Sequence, residues 1–147
     1  PDLVRAHVSA RAAVAGLRAA PGWPEAPRPV TSDDLLPERA LSGDGHARRL
    51  LVTDVYRPLV DAGAPTLDTV ATYLDQGGSI EGTARAMFVH PNTVRYRLKR
   101  ATEVTGLSVH DPRQAYTYRV ALTLGRLTAP DPGAMTVTPE PVETDSL

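Results

Sequence analysis

Two short amphipathic segments follow each other almost without interruption between residues 79 and 102. In both segments apolar residues recur every three or four positions, the period of one face of an α-helix. These positions are Ile80, Ala84 and Met87 in the first segment and Val94, Leu98 and Ala101 in the second. Only Phe88, Val89 and His90 separate the segments, and Pro91 suits a first helical turn. The break is therefore a turn, and the two helices must pack at a steep angle.

The rest of the sequence also favours helices. Apolar spacing predicts helices over about 3–20, 45–62, 66–76 and 111–127, with a short helix near 33–42. The predicted caps are Ser32 or Asp33, Thr66, Ser79 and Asp111, and the predicted stops are Gly43, Gly63 and Gly77–Gly78. Pro58 is a candidate kink, and Trp23 is interpreted as a local anchor in a proline-rich loop. Because sustained alternation is missing, we predict an all-α fold, a small helical bundle.

Composition limits the classes of function that the chain can have. The sequence has no cysteine, which agrees with a reducing compartment, and we expect a cytoplasmic protein. It has no apolar run long enough to cross a bilayer and no secretory leader, so no membrane association is expected. The four histidines lie far apart in sequence and no catalytic motif is present. We therefore expect neither a metal or other cofactor nor an enzyme.

The net charge of −1 conceals a strong local asymmetry. Residues 79–102 carry five bases and one acid, Glu81, whereas residues 129–147 carry four acids and no base. The first segment is therefore a concentrated positive patch. The second is acidic, rich in proline and poor in apolar residues, which predicts a flexible tail.

Four of the five bases in the positive patch lie on the second of the two closely spaced helices. The apolar side of this helix is directed inward, which leaves polar and cationic residues outside. Two short helices arranged in this way are typical of a helix-turn-helix motif. Such a helix fits the major groove of DNA, where cations neutralise phosphates and asparagine or arginine pairs with base edges. We therefore predict double-stranded DNA as the partner. Asn92, Thr93 and Arg95 are the candidates for base contact, and Ser79, His90, Tyr96, Arg97, Lys99 and Arg100 are the other candidate DNA-binding residues.

The stretch "VHPNTVRYRLKRATEVTGLSVHDPRQAYTYRVAL" resembles the C-terminal helix-turn-helix domain of the PucR family of bacterial transcription regulators, relatives of the sugar-diacid regulators. The resemblance covers about residues 66–127. It implies a homodimer or higher homo-oligomer, and an effector bound by an upstream region that is mostly absent from this chain. The sequence departs from the family at Pro91, where a basic residue is usual, and at Phe88, a turn position often held by a smaller or polar residue. A positive φ at Phe88 would be strained, since bulky residues seldom adopt that region.

These observations predict three parts of the chain. Residues 1–62 would form the helical end of an upstream regulatory region plus a linker, residues 63–128 the DNA-binding domain, and residues 129–147 the acidic tail.

Several alternatives remain open on sequence grounds alone. The helical segments could form a protein interaction or dimerisation module without specific DNA binding. His90 is interpreted first as the cap of the recognition helix and second as a phosphate contact. Either Arg95 or Arg97 could brace the fold, and Tyr96 could pack against neighbouring helices instead of DNA.

Overall fold

The computed structural model describes residues 3–128, and every regular element in that range is helical. The α-helices are α1 (Leu3–Ala19), α2 (Leu36–Leu41), α3 (Gly45–Leu51), α4 (Arg57–Asp61), α5 (Ala64–Asp75), α6 (Ile80–Met87), α7 (Pro91–Thr105) and α8 (Pro112–Thr128). A 3-10 turn, Ala20–Gly22, follows α1, and a π-helical turn, Val52–Tyr56, joins α3 to α4. The predicted all-α class is confirmed. The predicted acidic tail, 129–147, lies outside the described residues.

One hydrophobic core extends from α2 to α8. Its buried members include Ala40, Ala47, Leu51, Val55 and Leu59 from the first half of the chain, and Val70, Leu74, Val94, Leu98, Ala101, Tyr118, Ala121 and Leu122 from the second. This core crosses the boundary predicted between residues 62 and 63. Helices α2 to α4 therefore belong to the same packing unit as the paired helices α6 and α7.

The helices α3 and α4 and the π-helical turn between them form one continuous rod. The turn ends at Tyr56, two residues before Pro58. Proline has no N–H, so Pro58 cannot donate a hydrogen bond to the carbonyl of residue 54. In this turn the hydrogen-bond pattern is shifted by one residue, and the N–H of Arg57 reaches the carbonyl of Val52. The helix with the candidate kink at Pro58 is therefore interrupted by this π-helical turn. Helix α8 packs on the same turn, and a Cβ added at Gly125 would lie 2.1 Å from Cγ of Tyr56. Glycine is required there for the close approach.

Two helices begin at places that the sequence did not predict. Helix α2 was expected to start from Ser32 or Asp33, but it starts at Leu36 without a side-chain cap. The Asp34 carboxylate instead accepts hydrogen bonds from the hydroxyl and the backbone N–H of Thr31, and these bonds lower the pKa of Asp34. The preceding residues therefore form a separate turn.

Helix α5 was expected to begin at Thr66, which lies buried inside the first turn instead. The cap position belongs to Gly63, whose φ of 104° suits glycine, and Pro65 occupies the first turn. The glycine stops are confirmed: Gly43, Gly63, Gly77 and Gly78 all have positive φ.

Helix α1 packs through its small residues instead of its larger apolar ones. Gly16 and Ala19 are buried, and a Cβ at Gly16 would lie 3.5 Å from Ser32, whereas Val8, Val14 and Leu17 are exposed. The sequence predicted α1 correctly but placed Val8 and either Val14 or Leu17 on its apolar face. Small side chains let the helix approach the loop closely, which the hydrophobic pattern does not reveal.

Arg113, in the first turn of α8, joins the proline-rich loop and α2 to the rest of the core. Its guanidinium makes a two-pronged ion pair with the buried carboxylate of Glu38, with N–O distances of 2.5 and 2.6 Å. It also donates to the carbonyl of Asp34 at 2.6 Å and lies 3.8 Å from the ring centroid of Trp23. Trp23 is thus the local anchor that was predicted, and its contact is a cation–π interaction.

Candidate nucleic-acid interface

Helix α6 begins where its cap was predicted. The Oγ of Ser79 accepts a hydrogen bond from the N–H of Gly82 at 2.9 Å, and the N–H of Thr83 reaches the Ser79 carbonyl at 2.9 Å. Thr83 is fully buried and satisfies its hydroxyl by donating to the same carbonyl at 2.7 Å. Ala84 is buried beside it, which permits close contact between α6 and α7.

The turn between α6 and α7 depends on an unusual backbone conformation at Phe88. Its φ of 55° and ψ of 42° lie in the left-handed region, where glycine is the usual residue at the end of a helix. The N–H of Val89 reaches the carbonyl of Ala84 at 3.0 Å, and the Val89 side chain packs against the core. The Phe88 side chain, in contrast, is 96% exposed. The backbone closes the turn while the aromatic ring remains in solvent.

Helix α7 is capped by His90. Its Nδ1 accepts a hydrogen bond from the N–H of Asn92 at 3.1 Å, so the structure gives His90 the capping role that was its first interpretation. Pro91 occupies the first helical position, and Gly106 ends the helix with a φ of 74°. The predicted inward face is confirmed: Val94, Leu98 and Ala101 are all buried.

The opposite side of α7 is open to solvent. Asn92, Arg95, Tyr96, Lys99 and Arg100 are exposed, and Tyr96 is 71% exposed, so its ring does not pack within the chain. Thr93 is half-buried at the edge of this face. We call the five exposed residues the outer face of α7. The face combines cations, an amide and one aromatic ring on a single helix.

The cations of α7 have different partners. The Arg95 guanidinium donates to Oδ1 of Asn92 at 2.9 Å and lies 3.8 Å from the Glu81 carboxylate. Arg100 lies 3.6 Å from the carboxylate of Glu103 one turn further along. These side chains stay in solvent, where an ion pair contributes little to stability.

Arg97 is directed toward the body of the chain. It is half-buried, and its guanidinium is 3.4 Å from Oγ1 of Thr69 in α5. Of the two arginines considered for bracing the fold, Arg97 is therefore the one that does so. The helical rotation between positions 95 and 97 accounts for the difference, because residues two apart lie on different sides of a helix.

Helix α8 and the loop before it support the second half of α7. The hydroxyl of Tyr118 lies 2.5 Å from Oγ1 of Thr105 and donates to the carbonyl of Leu107 at 2.8 Å, and burial raises the pKa of Tyr118. The predicted cap of α8 is confirmed because Asp111 accepts from the N–H of Gln114 at 2.8 Å. The Gln114 side chain does not complete a capping box, since its oxygen accepts from the N–H of Ser108 at 2.6 Å.

Two residues near the outer face were not predicted as site residues. Glu81 and Arg85 are exposed on α6, four residues apart, and Glu81 reaches Arg95 across the turn. Both residues entered the local charge count of residues 79–102. The contact of Glu81 with α7 had no sequence signal, because it depends on how the two helices cross.

The described part of the chain has no group of three or more histidine, aspartate or glutamate residues placed to hold a metal ion. None of the helices within residues 3–128 is both long and apolar enough to span a bilayer.

Comparison with known proteins places the paired helices in a family. Residues 66–124 match the PucR C-terminal helix-turn-helix domain. Uncharacterized proteins of Mycobacterium tuberculosis and Mycobacterium bovis are 56% identical to the chain over 132 residues, which is 90% of this chain and 32% of each relative. The purine catabolism regulatory protein of Bacillus subtilis is 41% identical over 61 residues, 42% of this chain and 12% of that protein. The chain thus spans about a third of the length of its mycobacterial relatives.

A solved structure shows the same architecture over a longer range. The regulator of polyketide synthase expression from Bifidobacterium adolescentis superposes with a TM-score of 0.74 at 48% sequence identity, over 82% of this chain and 50% of that one. The match therefore extends beyond the paired helices, in agreement with the continuous core. Residues 66–124 therefore form a helix-turn-helix domain of the PucR C-terminal type.

Proposed function

We propose that this chain is the sequence-specific DNA-binding part of a transcription regulator, and that α7 enters the major groove of double-stranded DNA. The observation that carries the proposal is the division of α7 into two sides. Val94, Leu98 and Ala101 fix one side in the core, while the outer face offers cations and an amide to solvent. A groove-reading helix needs this combination of rigid support and exposed hydrogen-bond donors.

The positions of the proposed DNA-binding residues suggest that some contact base edges and others contact the DNA backbone. Asn92, Thr93 and Arg95 lie in the first half of α7 and are assigned to base edges. Phosphate or sugar contacts are assigned to Ser79, His90, Tyr96, Lys99 and Arg100. Arg97 was predicted to contact the DNA backbone as well, but its contact with Thr69 supports a bracing role.

The wider functional setting is part of the same proposal. Two copies in a homodimer or higher oligomer would place two α7 helices in successive major grooves, so that each reads one half-site. An effector would bind a part of the protein outside this chain, since the relatives are about three times as long. Such a role places the protein in the bacterial cytoplasm, where the DNA lies.

Selection of bound sites from a random pool of DNA duplexes, followed by titrations at several salt concentrations, tests the proposal. We expect a selected sequence with twofold symmetry, and an affinity that falls log-linearly as salt rises because phosphate contacts release counterions. Lys99→Ala should weaken binding to all sequences alike and reduce the salt slope by about 1, whereas Arg126→Ala, an exposed cation on α8, serves as the control.

The alternative is a helical interaction or dimerisation module without specific DNA binding. One observation favours it: α1 exposes Val8, Val14 and Leu17, and Leu17 is 76% exposed. Affinity for a protein partner through such a surface should change little with salt. Two results would support this alternative. One is that the chain binds no DNA at low salt, and the other is that it binds all DNA sequences equally and that Lys99→Ala leaves this binding unchanged.

A further inference from the structure

The hydrogen bond between Arg95 and Asn92 fixes the orientation of the Asn92 amide. Arginine has five N–H donors and no acceptor, so the amide atom that faces its guanidinium at 2.9 Å must be the oxygen. The two positions are three apart in α7, which places them on the same face of the helix. The amino group of Asn92 is consequently left as the part of the amide that is free of Arg95.

This orientation determines which base edge suits the pair. An asparagine that reads adenine accepts a hydrogen bond from the adenine amino group and donates one to N7. To bind adenine in this way, the Asn92 oxygen would have to share its hydrogen-bonding capacity between Arg95 and the base, or lose its hydrogen bond with Arg95. Guanine needs neither, because its major-groove edge presents two neighbouring acceptors, N7 and O6. The Asn92 amino group and the remaining N–H groups of Arg95 are all donors. The pair is therefore complementary to guanine and mismatched to adenine.

Glu81 holds the guanidinium from the other side. Its Oε1 lies 3.8 Å from a terminal nitrogen of Arg95, whereas Asn92 binds the other terminal nitrogen. Because Glu81 belongs to α6, this contact connects the two helices across the turn. Arg95 and Glu81 have side chains that are 52% and 63% exposed, so the guanidinium is oriented without being covered.

We propose that Asn92 and Arg95 act as one unit that reads a guanine in the major groove of each half-site, and that Glu81 is the positioning residue of this unit. The inference rests on the proposed DNA-binding function and adds the identity of the base. Glu81 has a second consequence: its negative charge beside the outer face opposes phosphates. It should therefore weaken binding to arbitrary DNA while it favours the orientation that suits guanine.

The first test modifies the base. Site selection with the wild-type chain should return a guanine at one fixed position of each half-site. Replacing this guanine by 7-deazaguanine removes N7 and should weaken binding about 10-fold, and replacing it by adenine should weaken binding by about 10- to 100-fold. Inosine keeps N7 and O6 and lacks only the minor-groove amino group, so it should bind as guanine does.

The second test modifies the protein. Arg95→Ala and Asn92→Ala should each abolish most of the preference for guanine over adenine at that position. Glu81→Gln should reduce the preference by about 2- to 5-fold, the range expected of an exposed ion pair, and should raise the affinity for random DNA. Glu103→Gln is the matched control, because it removes the same charge from an equally exposed ion pair of Arg100 and should leave the preference unchanged.

A double variant separates positioning from simple charge. In the Arg95→Ala background, Glu81→Gln should have no further effect on base preference, because the residue that it positions is gone. Thermal unfolding should be similar for all these variants, since the side chains are exposed.

The failures of the two proposals can be told apart. A wild-type chain that binds specific DNA but selects adenine at this position, or binds 7-deazaguanine as tightly as guanine, overturns the guanine assignment alone. Equal base preference in Glu81→Gln and the wild type overturns the positioning role. A wild-type chain that binds no DNA at low salt overturns the DNA-binding function itself.

Discussion

Among individual residues, Phe88 combines two unfavourable features. Its backbone adopts the left-handed conformation, which costs an L-residue about 1–2 kcal/mol, and its ring gains no burial because the side chain is 96% exposed. The conformation closes the turn that sets the angle between α6 and α7. The strain at Phe88 therefore lowers the stability of the chain in the turn that precedes the proposed recognition helix.

Replacing Phe88 by glycine should stabilise the chain. Glycine adopts the left-handed region without strain, but it has more freedom in the unfolded state, so we expect a net gain of about 0.5–1 kcal/mol in the free energy of unfolding. Urea denaturation followed by circular dichroism measures it. A loss of stability in Phe88→Gly would show that the ring makes favourable contacts.

Gly106→Ala is the matched change in the opposite direction. Gly106 ends α7 with a φ of 74°, and a Cβ added there meets no atom within 4 Å. Backbone strain is therefore the main effect, and we expect a loss of about 1 kcal/mol.

At the scale of the elements, the sequence predicted best those helices whose ends carry local signals. Ser79 and Asp111 cap α6 and α8, and glycines with positive φ terminate several helices, because these interactions involve neighbours in sequence. The starts of α2 and α5 were predicted wrongly because Thr31, Gly63 and Pro65 form turns that competed with the expected caps. The burial of α1 through Gly16 depends on the surface that it meets, which no local pattern encodes.

The same distinction applies to the candidate interface. The outward orientation of Asn92, Arg95 and Lys99 follows from the helical period and was predicted. The contact of Arg97 with Thr69 and the contact of Glu81 with Arg95 join different helices, so they require the angle between those helices.

Helix α3 provides a prediction about charge and pH. Its cap, Asp44, also binds Arg39, which is 1% exposed, with N–O distances of 2.8 and 2.9 Å. Asp44→Ala leaves this buried guanidinium without its hydrogen-bonded carboxylate, since the carboxylate of Asp33 is 3.8 Å away, and should destabilise the chain by about 3 kcal/mol. Asp44→Asn keeps a capping side chain and should cost less. Chemical denaturation at neutral pH measures both, with the exposed Asp68→Ala as the control.

The stability supplied by Asp44 should depend on pH. Burial raises the pKa of its carboxyl, but hydrogen bonds from Arg39 and from the first backbone N–H groups of α3 outweigh burial and hold the pKa below its usual value. A carboxyl with a lowered folded-state pKa stabilises the fold above its unfolded pKa of about 3.9 and loses that effect as the pH falls through the folded value. The difference between wild type and Asp44→Asn should therefore shrink below about pH 4. A constant difference down to pH 2 would contradict the coupling.

At the scale of the whole molecule, the continuous core predicts the smallest unit that folds. Leu51, Val55 and Leu59 lie in the rod formed by α3 and α4, and they are buried in the same core as Val94 and Leu98 of α7. A fragment of residues 63–128 would expose this apolar surface. We expect it to lose cooperative thermal unfolding, whereas residues 31–128 should retain one sharp transition.

Circular dichroism melts of the two fragments and of the full chain test this expectation. Residues 31–128 lack Trp23 but keep every member of the shared core, so their melting temperature should be only slightly lower. A sharp transition in 63–128, with stability close to that of the full chain, would support the predicted domain boundary at residue 62 and contradict this expectation.

The contacts of Arg113 affect how the chain should respond to an applied force. The indole of Trp23, the carboxylate of Glu38 and the carbonyl of Asp34 converge on one guanidinium at the start of α8. Tension applied along α1 would pass through the backbone of the proline-rich loop into α2, and the contacts of Arg113 would carry part of that load to α8, the helix that supports α7. In a pulling experiment Arg113→Lys, which cannot grip the carboxylate with two parallel bonds, should let the loop detach at lower force while the rest of the chain stays intact.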